Sequence, residues 1–232
     1  VGVLIAARLI RGNAAILALL VTAFVDLVLV AIAVWQREPG STEFLLSRYF
    51  VLDASSVLFL GLITTLFFGI SIYVAHRFTS VSFDRVESPE NYCGRSLLFF
   101  SACVLAVLSN QLLAMWVFLE LGTVAIAPLI FAGRTEKAVA ASWKYLLFSV
   151  LGLGFNFIGL MCIARGMGGA NGEHELTFFI DALRQVPSLG DSHWWKLGLS
   201  LMVFGLGTKL GLAPMYSWCP DAYDESPPGV TA

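Results

Sequence analysis

Hydrophobic positions come in blocks along this chain rather than in short alternations. The first block, AILALLVTAFVDLVLVAIAVW from Ala15 to Trp35, carries one charge, Asp26, and is bounded by Arg8 and Arg11 before it and by Arg37, Glu38, Pro39 and Gly40 after it. Blocks of roughly 20 apolar residues match a bilayer core as a helix. A second runs from Ala54 to Ala75, with Asp53 placed as its N-cap. The polar stretch His76 to Arg95 reads as a loop. Ser96 to Phe131 is too long for one span, and the triplet Ser109-Asn110-Gln111 divides it into a helix ending near Leu108 and another from Leu112 to Ala132. So short a turn makes these two antiparallel neighbours. Ala138 to Ala164 follows, then the glycine-rich break GMGGANGEHE. Leu176, Phe179, Ile180 and Leu183 recur at helical spacing and predict a short interfacial helix. The last block, Trp195 to Pro214, contains Lys209 among Gly205, Gly207 and Gly211. The pattern predicts an all-α, polytopic transmembrane bundle of about six full spans, with a broken helix near Lys209. The opening VGVLIAARLIRGN reads as the tail of a further hydrophobic segment, so residues 1–49 are expected to hold one or more N-terminal spans, truncated at the start.

Composition strengthens this reading. The chain is 58% hydrophobic and 13% charged, against about a quarter charged in soluble domains. Its mean hydropathy is +0.81. A net charge of -2 gives no basic face for a nucleic-acid partner. Four cysteines (Cys93, Cys103, Cys162 and Cys219) lie far apart, without metal-ligand or disulfide-framework spacing. Lysine and arginine are slightly denser in the loops bearing Arg8, Arg11, Arg77, Arg85, Arg95, Arg134 and Lys137 than in those bearing Arg37, Arg48, Arg165, Arg184 and Lys196. The first set is therefore expected on the cytoplasmic side, together with the final PDAYDESPP loop.

Candidate chemistry is confined to ionisable groups inside the spans, where each costs about 2.5–3.5 kcal/mol on insertion scales. Lys209 lies deepest, in a run whose glycines and Pro214 favour a broken helix with freed carbonyls. It suits a proton-exchanging group or a snorkelling anchor. Glu120 has no other acid or base in its block. It is either paired, with Lys209 the candidate partner, or neutral and bonded to backbone. Lys144 suits a relay or an anchor equally, and Asp26 a packing hydrogen bond or a function. His76, His174 and His193 fall in loops or at span ends and carry no assigned role.

Three stretches, WVFLELGTVA, AASWKYLLFSVLG and GLGTKLGLAPMYSWCPDAYDESPPGVTA, resemble the antiporter-like membrane subunits of respiratory complex I, and most closely the corresponding subunit of complex I-related membrane-bound hydrogenases. Related proteins serve multisubunit sodium/proton antiporters and some bicarbonate-uptake systems. The resemblance runs from about Asp53 to Ala232. It implies a proton path through Glu120 on the fifth helix and Lys144 and Lys209 on the sixth and seventh, the seventh broken in mid-membrane. Tyr223 stands where relatives often carry histidine. The family holds two inverted five-helix repeats, so residues 50–232 are expected to be the first part of that unit, incomplete at the C-terminus and unable alone to complete a proton path.

The implied function is a non-redox, ion-pumping subunit of a complex I-like NADH:quinone oxidoreductase or related hydrogenase, without a cofactor or metal of its own. Its implied partners are other membrane subunits, the lipid bilayer, and protons or sodium. The alternative is a sodium/proton antiporter or bicarbonate-uptake subunit without redox coupling. The expected location is a bacterial or archaeal cytoplasmic membrane, or an organellar inner membrane.

Overall fold

The computed structural model describes residues 13–36, 42–80, 88–131, 135–168, 178–183 and 193–231. In chain order these form α1 (Asn13–Gln36), a hairpin of β1 (Glu43–Leu45) and β2 (Phe50–Leu52), α2 (Ala54–Ser80), α3 (Pro89–Leu108), α4 (Leu112–Ile130), α5 (Glu136–Gly168), the single turn α6 (Ile180–Leu183), α7 (His193–Lys209), α8 (Trp218–Glu225) and α9 (Pro228–Thr231). Helices α1 to α5 are each long and apolar enough to cross a membrane. Among the described residues these are five, against the about six full spans expected, because α7 stops after 17 residues at the break near Lys209. Side chains are distributed inside out. Leu58 is 67% and Val203 64% exposed, whereas Thr64, Ser71, Thr123, Ser149 and Asn156 are buried. Apolar exteriors around a core of small and polar groups are what lipid selects, because hydrocarbon rewards no apolar burial between helices. The protein is an integral membrane helix bundle.

Local chemistry sets the helix ends. Asp53 Oδ1 accepts from Ser56 N and Ser56 Oγ, both at 2.7 Å, and starts α2. Gln111 caps α4 by accepting from Ala114 N at 3.1 Å, and Thr135 caps α5 by accepting from Ala138 N at 3.0 Å. Polar residues do not end α2, which continues through His76 and Arg77 to Ser80, while α3 already begins at Pro89. The described residues of the loop expected over 76–95 are helical at 76–80 and 89–95, because a helix need not stop at the membrane surface.

Two packing centres organise the bundle. Ala15, Ile16, Leu19 and Ala23 of α1 meet Phe67 and Val74 of α2 and Leu97 and Phe100 of α3, with the Phe67 and Phe100 rings stacked at 4.1 Å. Around α5, the closest approach is to α7. A Cβ added at Gly159 would lie 2.6 Å from the Gly198 carbonyl oxygen, and one at Gly198 would lie 2.7 Å from that of Gly159. Gly152 and Gly205 oppose each other in the same way two turns along. Two glycines seven residues apart on each helix bring the backbones into contact, as small residues do in membranes.

At one end of the bundle the β-hairpin, the α3–α4 turn and α6 are laced together. Asn110 N donates to Tyr49 O at 2.8 Å, Ile180 N to Asn110 O at 2.8 Å and Leu112 N to Phe178 O at 2.9 Å. Arg48 Nε donates to Asp181 Oδ2 at 2.7 Å, and Asn110 Nδ2 donates to Asp181 Oδ1 at 3.0 Å. Phe179 bridges Gln111 through backbone and meets the Tyr49 ring edge-on. Among the described residues the expected interfacial helix is the turn Ile180–Leu183, and Phe179 is engaged in that bridge instead. Leu176 lies outside the described residues, as do Arg8, Arg11, Arg37, Arg85, Arg134, His174 and Arg184. The expected division at residue 50 falls between β1 and β2.

Candidate ion-path site

Lys209 is the last residue of α7, and the sequence after it explains why the helix stops. Gly211 adopts φ +69°, a left-handed conformation that glycine takes without strain. Leu212 N then bonds Gly207 O at 2.9 Å and Gly211 N bonds Thr208 O at 3.2 Å, the paired closing bonds of a glycine-terminated helix. Trp218 Nε1 adds a third bond by donating to Thr208 O at 3.0 Å. The chain then turns through Pro214 and resumes as α8. Lys209 is thereby fixed at a helix C-terminus, where the partial negative charge of the last carbonyls favours a cation.

The Lys209 ammonium is held by neutral oxygens. Its Nζ donates to Thr123 Oγ1 of α4 and, at 3.4 Å, to Tyr145 Oη of α5. It also lies 5.5 Å from the Tyr145 ring centre. Glu120 and Cys103 are its electrostatic neighbours. The structure does not bring Glu120 and Lys209 into an ion pair. Glu120 Oε2 is instead buried without a hydrogen-bond partner. Thr123, which takes the Lys209 bond, is one turn from Glu120 on the same face of α4.

Lys144 has a different setting. It is exposed, and its Nζ pairs with Asp221 Oδ2 at 2.5 Å. Asp221 lies in the first turn of α8, where the helix dipole favours an anion. The adjacent Tyr145 packs edge-on against Trp218, the first residue of α8, with ring centres 5.2 Å apart. Lys144 and Tyr145 therefore grip both sides of the break: Tyr145 meets the end of α7, and both touch the start of α8. Asp26 is far less connected. It is half-buried on α1, which packs chiefly on α2 and α3, and no hydrogen bond or ion pair joins it to this site among the described residues.

Thr123, Tyr145, Trp218 and Asp221 were not singled out from the sequence. The signal for Thr123 was its helical spacing from Glu120, and that for Asp221 its place in the PDA stretch after the break. Nothing in the sequence sets the helix registers that bring them to the lysines.

Residues 109–232 match the model of the family described as NADH:quinone oxidoreductase/Mrp antiporter, membrane part. The chain belongs to this family. It is 26% identical over 202 residues to a hydrogenase-4 component F homolog of Methylacidiphilum infernorum, covering 85% of this chain and 41% of the relative. It is 28% identical over 213 residues to NADH-quinone oxidoreductase subunit N of Coxiella burnetii, covering 89% and 42%. A chain in the Mrp complex of Dietzia sp. DQ12-45-1b shares the fold, with a TM-score of 0.81 at 21% identity over 99% of this chain and 43% of that one. The chain thus spans about two fifths of the length of the curated relatives it matches.

Proposed function

We propose that this chain is the membrane part of a proton-translocating, antiporter-like subunit in a complex I-like NADH:quinone oxidoreductase or a related membrane-bound hydrogenase. One observation carries the reading most directly. A lysine is lodged at a break inside the bundle, held by Thr123 and Tyr145, and left without a carboxylate while Glu120 Oε2 stays buried without a hydrogen-bond partner. A buried cation and a buried acid that are close but unpaired form a system with two charge distributions. Protonating Glu120 removes its pull on Lys209, and deprotonating it restores that pull. An ion can be passed each time the balance shifts. Lys144, Glu120 and Lys209 form the proposed path, and residues 50–232 the unit that carries it, with α1 a preceding span. Other membrane subunits would hold the redox centres, and this chain would move protons without carrying electrons. The side bearing Arg77 faces the cytoplasm.

The family description itself also spans Mrp antiporters, so sodium/proton exchange without redox coupling is the second reading. Inverted membrane vesicles containing the complete assembly separate the two. Redox-driven proton uptake that persists with sodium replaced by choline, and falls at least about tenfold in Glu120→Gln, fits the first reading. Sodium-dependent exchange that needs no electron donor establishes the second.

A further inference from the structure

Two fixed contacts set how α4 and α5 face each other. Ser142 Oγ of α5 donates to Ala127 O of α4 at 2.8 Å. Eleven residues further along α5, and eleven back along α4, Trp116 Nε1 donates to Leu153 O at 2.8 Å. Both bonds belong to one antiparallel register. On α4 the facing stripe is Trp116, Glu120, Thr123 and Ala127, at the i, i+4, i+7, i+11 spacing of a single helix face. On α5 it includes Ser142, Tyr145, Ser149, Leu153 and Asn156. Ser149 lies seven residues after Ser142, as Glu120 lies seven before Ala127, so the same register sets Ser149 opposite Glu120.

These two positions share an anomaly. The Ser149 side chain is fully buried; its Oγ is near the Tyr145 hydroxyl but makes no well-formed hydrogen bond, and Glu120 Oε2 makes none either. A buried polar atom without a partner is destabilising and rare. Two of them, on facing helices at one level, point to a shared task. Tyr145 lies one turn before Ser149 on the same face, and its hydroxyl accepts from Lys209.

We infer that Ser149 is the positioning residue that connects Glu120 to Lys209, its hydroxyl relaying hydrogen bonds between the Glu120 carboxyl and the Tyr145–Lys209 pair. This rests on the proposed proton path. A hydroxyl accepts and donates one hydrogen bond at once, so a proton can pass from the Lys209 ammonium through the Tyr145 and Ser149 hydroxyls to the Glu120 carboxylate, each hydroxyl taking one proton and giving up its own, which leaves the lysine neutral, the acid protonated and both hydroxyls unchanged. The relay also accounts for a path whose acid and base do not touch. Asn156, the next rung on α5, is buried with Nδ2 unpartnered, but the register sets it opposite Leu113, where there is no charge to serve.

The test uses the full-length protein in its native assembly, comparing Ser149→Ala and Ser149→Thr with wild type and with Lys209→Ala. Readouts are proton uptake and the infrared carbonyl band of Glu120, identified by its loss in Glu120→Gln. Ser149→Ala is expected to slow uptake about tenfold, the rate equivalent of one buried hydrogen bond, and to move the carbonyl band to the frequency of a less hydrogen-bonded acid. Ser149→Thr, which keeps the hydroxyl, is expected to restore both. An unmoved band and unchanged uptake in Ser149→Ala, with uptake lost in Lys209→Ala, overturns the relay and leaves the proton path standing. Unchanged uptake in Lys209→Ala as well overturns both.

Discussion

At the scale of single residues, the site depends on which oxygen each ammonium meets. Tyr145 combines a hydroxyl for Lys209 with a ring packed on Trp218. Tyr145→Phe keeps the ring and removes only the hydroxyl, so assembly is expected to be normal while proton uptake falls severalfold to tenfold. Asp181 illustrates a polar contact of a different kind, outside the spans. Burial alone would raise its pKa, but hydrogen bonds from Arg48 and Asn110 together with the Arg48 charge hold its carboxyl below the usual carboxylate range. A depressed folded-state pKa contributes stability that is present above the unfolded value and lost as pH falls through the folded one. The contact should therefore persist from neutral pH down to about 4 and weaken only below that. With 44% of the Arg48 side chain exposed, Arg48→Ala should cost at most about 1 kcal/mol, read as a small drop in the thermal midpoint of purified protein. Lys209 and Glu120 were legible in the sequence because charge is conspicuous in an apolar block. The oxygens that hold Lys209 were not, because Thr123 and Tyr145 look like ordinary core residues until three helices are placed in register.

At the scale of elements, the α5–α7 contact is the tightest in the bundle, and the glycines predict where it fails. An added methyl at Gly205 has no room against Gly152 and Asn156, whereas nothing lies within 4 Å of one at Gly154. Gly205→Ala should lower stability by roughly 1–3 kcal/mol, and Gly154→Ala should be close to neutral. Paired thermal melts in detergent check the contrast. The break after Lys209 was readable because glycine and proline end helices by known geometry. The β-hairpin was not. Its strands are three residues each, and its turn runs through Leu46, Ser47 and Arg48, all at positive φ. None is the glycine or asparagine that normally announces such a turn. The extension of α2 past Ala75 escaped for the opposite reason: hydropathy reports where the membrane ends, and the helix continues beyond it.

At the scale of the whole molecule, the helices alternate direction, so Arg48, Asn110 and Asp181 share one end while Lys137 begins α5 at the other. The proposed orientation has a direct consequence. In inverted vesicles, a membrane-impermeant thiol reagent should label Lys137→Cys and leave Ser47→Cys unlabelled, in a background lacking the native cysteines. Reversed labelling would invert the direction of transport. The fold class was open to sequence reading because bilayer thickness dictates span length. How α7 and α8 are clamped by one pair of adjacent residues on α5 was not, since it is a property of the assembled bundle. That clamp makes Lys209 the point where helix geometry, buried charge and the proposed transport meet.

The most direct test of that claim is proton pumping by vesicles containing the complete native assembly, comparing wild type with Lys209→Ala at equal assembly levels. The account predicts loss of pumping with assembly intact. Pumping at the wild-type rate would contradict it and leave Lys209 a packing residue at the end of a broken helix.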